Sequence, residues 1–210
     1  MIDFRSPRGS RLLSGSKSCF APALAAIAAA LILASCKSVP GGAGYGQPQP
    51  YYLMDDLRLP LLDTAILGAP LQLDQRIRAS YKGKVYFIDA VAKADSDSVD
   101  MVGLDALGTQ LFDLSYSKTK GIRFESALGI AKARPEYIVA DFQLAYYPFE
   151  AVRSALARYG LDFSSSAADG AEVRTLSRAG RAIVRIETLP AGYKYENLLR
   201  GYSYEVTELK

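Results

Sequence analysis

The sequence predicts an α+β protein that is mainly antiparallel β, with a curved sheet or half-open barrel and helices against its concave face. Apolar and polar residues alternate with a period of two through most of 71–126, as in half-buried strands. The apolar spacing lengthens to a helical period over 135–158, and alternation returns over 172–207. Strands, then helices, then strands favour one sheet with helices on one face, so residues 51–210 are expected to form a single domain.

Residues 1–35 are predicted to be a lipoprotein signal peptide. A basic start leads into an uncharged apolar run that ends in Leu33-Ala34-Ser35-Cys36, the pattern called a lipobox. The cysteine thiol of such a pattern takes a diacylglyceryl group, and small residues before it let a signal peptidase reach the bond. The apolar run is shorter than the roughly 18 residues of a spanning helix. Cys36 is therefore the predicted lipidation site.

Residues 36–50 are predicted to be the lipidated cysteine followed by a flexible tether, because glycine, proline, glutamine and small residues dominate this stretch. Lys37 is not the aspartate that commonly retains such lipoproteins in the inner membrane. The expected location is the outer membrane, facing the periplasm, with the acyl anchor as the contact to the bilayer.

The missing residue types exclude several functions. The chain has no histidine and no tryptophan, and its two cysteines, Cys19 and Cys36, precede the folded domain. Ser–His and Cys–His nucleophile pairs and His/Cys zinc sites are thus excluded. Removing residues 1–35 leaves 21 basic and 21 acidic residues, so no basic face for nucleic acid is expected. We expect a non-enzymatic protein without cofactor or metal.

A segment without a regular strand pattern precedes the first predicted strands. Residues 51–70 are expected to form a short helix or an irregular segment. After them, five strands separated by polar turns predict an antiparallel meander that begins with a hairpin at Lys82-Gly83. The predicted strands are Leu71–Tyr81, Lys84–Ala94, Val99–Leu104, Thr109–Tyr116 and Ile122–Ser126.

Two short helices and further strands are predicted for the remainder. Pro148 is disfavoured inside a helix, so the helical period from Pro135 to Arg158 is read as two helices, the second ended by Gly160. The predicted later strands are Glu172–Ser177, Arg181–Thr188, Lys194–Arg200 and Tyr202–Thr207.

Three runs carry a resemblance to a known family. They are Ala140-Asp141-Phe142-Gln143-Leu144-Ala145-Tyr146-Tyr147-Pro148, Leu199-Arg200-Gly201-Tyr202 and Ala106-Leu107-Gly108-Thr109. With the lipobox, they resemble LolA/LolB-like outer-membrane lipoproteins of unknown function, some associated with aryl-polyene gene clusters, and more distantly the lipoprotein receptor LolB. The resemblance covers roughly residues 70–207. It implies helices that cover an apolar groove for acyl chains.

The candidate site residues fall into four groups. Asp141 and Gln143 either cap the helix pair or bond a strand end, or they orient a ligand headgroup. Leu107 is the expected exposed transfer loop, as the resemblance implies, unless it folds back under the sheet. Four tyrosines line a groove, lie near a lipid interface or pack in the core: Tyr146, Tyr147, Tyr202 and Tyr204. The apolar ligand-binding candidates, which equally suit a packed core, are Leu73, Ile77, Phe112, Leu114, Phe124, Phe142, Tyr146 and Val184.

Three functions remain open. The leading hypothesis is a lipid-anchored periplasmic protein that binds or transfers an acylated or hydrophobic molecule at the outer membrane, with a lipid or acylated cargo as partner. The alternative is a structural accessory lipoprotein that docks on an envelope protein assembly and has no ligand cavity. A carboxylate-dependent enzyme would need clustered acids in a cavity. An apolar cavity or groove of several hundred Å³ would favour the first.

Overall fold

A computed structural model describes residues 46–47, 50–126, 134–168 and 170–209. Residues from Ala43 to Lys210 form one compact unit. In the described part, a ten-stranded antiparallel sheet curves around two helices, so the predicted fold class is confirmed. The predicted signal peptide and Cys36 lie outside the described residues.

The lead-in is more regular than predicted. Tyr51–Met54 (β1) and Leu57–Leu59 (β2) pair as a small separate hairpin. A 3-10 helix, Thr64–Leu67, follows, and the Asp63 side chain caps it by accepting a hydrogen bond from the N–H of Ala65. The expectation of a helical or irregular segment is therefore wrong for the first part. Tyr51 and Leu53 are buried while their neighbours are less so, which is a strand alternation too short to stand out.

The five-strand meander is confirmed nearly to the residue. Lys82 and Gly83 both have positive φ, 49° and 75°, as the predicted two-residue hairpin turn requires. The strands are β3 (Leu71–Tyr81), β4 (Lys84–Ala94), β5 (Val99–Leu104), β6 (Gln110–Ser117) and β7 (Gly121–Ser126).

Two helices follow, α1 (Pro135–Tyr146) and α2 (Phe149–Ala157), and Pro148 separates them as predicted. Asp162–Ala168 (β8) was not predicted. Its sequence, DFSSSAA, buries only Phe163 and carries little strand signal, but it pairs with the next strand along its whole length. The remaining strands are β9 (Ala171–Arg178), β10 (Arg181–Leu189), β11 (Gly192–Asn197) and β12 (Tyr202–Glu208).

The sheet joins the two halves of the chain through its middle. The strand order is β7-β6-β5-β4-β3-β12-β11-β10-β9-β8, with every described pair antiparallel. The last strand therefore lies beside β3, and the edge strands β7 and β8 do not pair with each other in the described residues. Helix α1 contacts the inner face at β11 and β12, and α2 stacks Phe149 on Phe163 of β8. Among the described helices, none is long and apolar enough to cross a membrane.

Within the described residues, the segment before β1 contacts the sheet at Gly46, in the predicted tether. The N–H and C=O of Gly46 exchange 2.8 Å hydrogen bonds with Ile122 of β7. Gly121 permits this approach, because a Cβ there would collide with the carbonyl oxygen of Gly46. The incoming segment is thus fixed at one edge of the sheet.

Candidate functional site

Asp141 on α1 is buried against a stack of tyrosines from the neighbouring strands. Tyr195 donates a hydrogen bond to one carboxyl oxygen, and Tyr202 donates to the other at 2.8 Å. Tyr195 and Tyr204 are cross-strand partners on β11 and β12, and their rings stack in parallel with centroids 4.6 Å apart. The period-two alternation of these strands places all three tyrosines on the inner face, under α1.

Burial governs the protonation of this cluster. It raises the pKa of Asp141 to about 7, although hydrogen bonds from Tyr195, Tyr202 and Tyr204 act to lower it. The phenol pKa values of the three tyrosines are raised, first by burial and then by the nearby carboxyl group. The carboxyl group is therefore neutral in mildly acidic solution, whereas the phenols keep their protons.

A second polar link ties the C-terminal turn to the same cluster. The side-chain amide of Asn197 donates to the hydroxyl of Tyr202 at 3.2 Å, and its carbonyl oxygen accepts from the N–H of Arg200 at 2.9 Å. Asn197 is buried. The run around Asp141 and the run Leu199–Tyr202, which are far apart in sequence, thus meet at one place.

An open groove of about 600 Å³ lies here, between the first turns of α1 and β12. Asp141 is its most buried lining residue, and Arg134 and Arg200 are exposed at its rim. Between the buried Asp141 and the two exposed arginines, aromatic and aliphatic side chains form most of the groove wall. The lining residues are Ala79, Ser80, Tyr81, Arg134, Tyr137, Ile138, Asp141, Leu199, Arg200, Tyr202, Ser203 and Tyr204.

The rim combines cations with one aromatic ring. The guanidinium carbon of Arg200 lies 4.8 Å from the ring centroid of Tyr137, and that of Arg134 lies 5.8 Å from the same centroid. The hydroxyl of Tyr137 donates to the carbonyl oxygen of Tyr52 at 2.8 Å, and Arg200 donates to that oxygen as well. The lead-in hairpin therefore fixes the position of the rim.

Gln143 takes no part in the groove. Its amide oxygen accepts from the N–H of Leu62 at 2.9 Å, and its amide nitrogen donates to the carbonyl oxygen of Leu62 at 2.8 Å. The hydroxyl of Tyr116 donates to the same carbonyl at 3.0 Å. Gln143 is 1% exposed. Of the two interpretations from sequence, these contacts fit the structural one.

The predicted apolar ligand-binding residues lie in or beside the core, and none lines the groove. Those that are buried would meet a ligand only if the core opened, so their binding role stays a prediction. Phe112, Leu114, Phe142 and Val184 are buried; Leu73, Ile77, Phe124 and Tyr146 are partly buried. Some groove residues, such as Ala79, Tyr81 and Tyr137, were not predicted as site residues, because the sequence marks them only by their strand or helix periodicity.

Leu107 is 92% exposed in the turn between β5 and β6. The Asp105 carboxylate holds this turn by accepting hydrogen bonds from the N–H groups of Leu107 at 2.8 Å and Thr109 at 2.9 Å. The turn therefore presents an apolar side chain to solvent on a fixed backbone. Its role in transfer stays a prediction.

A second depression of about 590 Å³ is polar. Aspartates, serines, threonines and two lysines line it, from the 3-10 helix region and the β4–β5 and β6–β7 turns. In the ranges that the structure describes, no three acidic, histidine or cysteine residues are placed to hold a metal ion. The aromatic groove is the more suitable place for an apolar ligand.

Fold and site together define an α+β protein with an open antiparallel sheet and a helix-covered, mainly apolar groove. Residues 72–210 match the family model described as protein of unknown function DUF3261, and the chain belongs to this family. All the groove residues lie within the matched range. A search of curated proteins found no match.

Proposed function

We propose that this is a lipid-anchored, non-enzymatic periplasmic protein of the outer membrane that binds or transfers an acylated or otherwise hydrophobic molecule. The binding site is the groove beside Asp141. The observation that carries the proposal is an open groove of about 600 Å³ in which apolar walls surround a few fixed polar groups. Ligand sites typically have this size and composition.

The lining gives such a ligand enough apolar contact. Tyr81, Ile138 and Leu199 come from three different elements and face the same space. Burial of a methylene group contributes about 0.8 kcal/mol, so a chain of ten methylenes gains roughly 8 kcal/mol before the cost of association. Affinity in the micromolar range or weaker would suit a molecule that must also leave.

Anchoring rests on the sequence. The lipobox at Cys36 and the resemblance to LolA/LolB-like lipoproteins support attachment to the outer membrane. Two acyl chains hold a protein at a bilayer far more firmly than one.

A structural accessory lipoprotein is the second candidate. It is favoured by the dense core, where several predicted ligand-binding residues are fully packed, and by the described side chains, none of which has a buried polar atom without a partner. An enzyme is not proposed, because Asp141 is the single acidic residue among the groove residues described.

Filling the groove tests the proposal. Ala79 lies on the inner face of β3 within the groove, so Ala79→Phe should occupy it with a ring that a strand tolerates well. We expect binding of a fluorescent fatty acid to weaken at least about tenfold, or about 1.4 kcal/mol. Native mass spectrometry of protein purified from its host should show lipid on the wild type and not on this variant.

Ala182→Phe is the matched control, since Ala182 is exposed on β10. It should bind as the wild type does. Absence of lipid on the wild type together with equal probe binding by both variants would favour the accessory function.

A further inference from the structure

The arginines at the groove rim are poorly neutralised. Arg200 has no carboxylate partner among the described residues, and Arg134 has Glu136 at 3.9 Å, the limit of an ion pair. Six other described arginines have a carboxylate oxygen at 3.2 Å or less. These are Arg76, Arg123, Arg153, Arg174, Arg178 and Arg185. Among the described residues, Arg58, Arg78, Arg158 and Arg181 also lack a carboxylate partner, but none of them lines the groove.

The two rim cations lie beside the same aromatic ring. Both guanidinium groups lie within 6 Å of the Tyr137 ring, and Arg58 lies 4.7 Å from the neighbouring Tyr52 ring. Two cations that line one groove repel each other, and a bound anion would relieve that repulsion. The fork of a guanidinium group matches the oxygens of a carboxylate or phosphate.

We infer that the groove takes an amphiphile with an anionic headgroup, a carboxylate or a phosphate, which Arg134 and Arg200 hold at the rim. This rests on the proposed function and specifies its ligand class. The apolar chain lies along Tyr81, Ile138 and Leu199. The headgroup faces outward, because the inner end of the groove already holds the Asp141 carboxyl group, bonded to Tyr195 and Tyr202.

The experiment compares probes that share one chain and differ in the headgroup. The full-length protein in a neutral detergent is titrated with tetradecanoate, tetradecyl phosphate and 1-tetradecanol, and occupancy is read by native mass spectrometry. Both anions should bind at least about tenfold more tightly than the alcohol, which corresponds to about 1.4 kcal/mol. Inorganic phosphate at the same concentration should displace neither.

Arg134→Gln combined with Arg200→Gln should lower the affinity for both anions to that for the alcohol and leave alcohol binding within twofold. Because Arg200 also bonds to Tyr52, Arg134→Gln alone serves as a milder variant and should lose part of the preference. Arg153→Gln with Arg185→Gln is the control, since these exposed arginines lie on α2 and β10, outside the groove lining.

The outcomes separate the inference from the proposed function. If the alcohol binds as well as the anions, or the rim variants keep the preference, the headgroup inference is overturned and the groove stands. If inorganic phosphate competes at equal concentration, the site recognises the free anion, which also overturns it. If no probe binds the wild type, the proposed function fails with it.

Discussion

Asp141 and Gln143 are two residues apart on one helix, and both are buried, but their partners differ in kind. Gln143 is bonded to the backbone of Leu62 through both atoms of its amide group. Asp141 is bonded to the side chains of Tyr195 and Tyr202, beside an open groove. A backbone partner is fixed by the fold, whereas side-chain hydroxyls can rotate and can accept other partners. Gln143 therefore stabilises the fold, whereas Asp141 borders a site.

Gln143→Leu tests this difference and should lower the free energy of unfolding more than the other substitutions proposed below. It leaves the partly buried N–H of Leu62 without a partner, while the C=O of Leu62 keeps only the hydroxyl of Tyr116, at a cost of about 2–3 kcal/mol in the free energy of unfolding. Urea unfolding monitored by tyrosine fluorescence measures it. Gln110→Leu, at an exposed position of β6, should change stability by less than about 0.5 kcal/mol. A loss below about 1 kcal/mol for Gln143→Leu would remove its stabilising role.

Asp141→Asn tests the other side of the comparison through pH. The pKa of Asp141 is about 7 in the folded protein and near 3.8 in the unfolded chain. Between these values the native state keeps a proton that the unfolded chain has lost. Raising the pH through this window therefore favours unfolding, and above the folded pKa the loss stops.

We expect wild-type stability to fall by about 2–3 kcal/mol between pH 5 and pH 8 through this one group, a fall that Asp141→Asn should lack. Because the asparagine side chain is neutral at every pH, like the protonated carboxyl group, the variant should gain about 2–3 kcal/mol relative to the wild type between pH 5 and pH 8. Asp105→Asn is the control, because hydrogen bonds from backbone N–H groups lower the pKa of Asp105, so that its titration lies below this range. If the stability of the wild type and of Asp141→Asn changed in parallel with pH, the fall could not be attributed to the titration of Asp141.

Leu107→Glu should have the smallest effect on stability and extends the comparison to a residue that touches neither cluster. An exposed leucine contributes little to folding, so the free energy of unfolding should stay within about 0.5 kcal/mol of the wild-type value. The melting temperature should therefore be close to that of the wild type. Transfer of fluorescent fatty acid to acceptor vesicles should be lost. Leu209→Glu, at another exposed position, should preserve transfer. Normal transfer by the Leu107 variant would exclude this turn from the mechanism.

Most of the fold could be predicted from sequence in the regions where turn residues, apolar periodicity and proline positions all indicate the same element. Alternation predicted β3, the content of Val, Ile, Tyr and Phe predicted β4, and the Lys82-Gly83 turn marked the boundary between them. Pro148 marked the break between the helices. Strand β8 was missed because serine and alanine give a weak pattern, and its position depends on pairing with β9. Sequence marked Asp141, yet its partner Tyr195 depends on the placement of β11 beside β12, which local patterns do not encode.

The bridge between Gly46 and Ile122 limits how far the folded unit can stand from a bilayer. With Cys36 acylated as proposed, about ten residues separate the anchor from the pinned glycine. Fully stretched, they reach roughly 33–36 Å, about the length of a single eleven-residue strand such as β3. A linker of this length would keep the folded unit close to the membrane that holds its anchor. On the proposed function, exchange of molecules would be limited to its own membrane surface and to diffusing carriers, and a distant membrane would have to be reached by another protein.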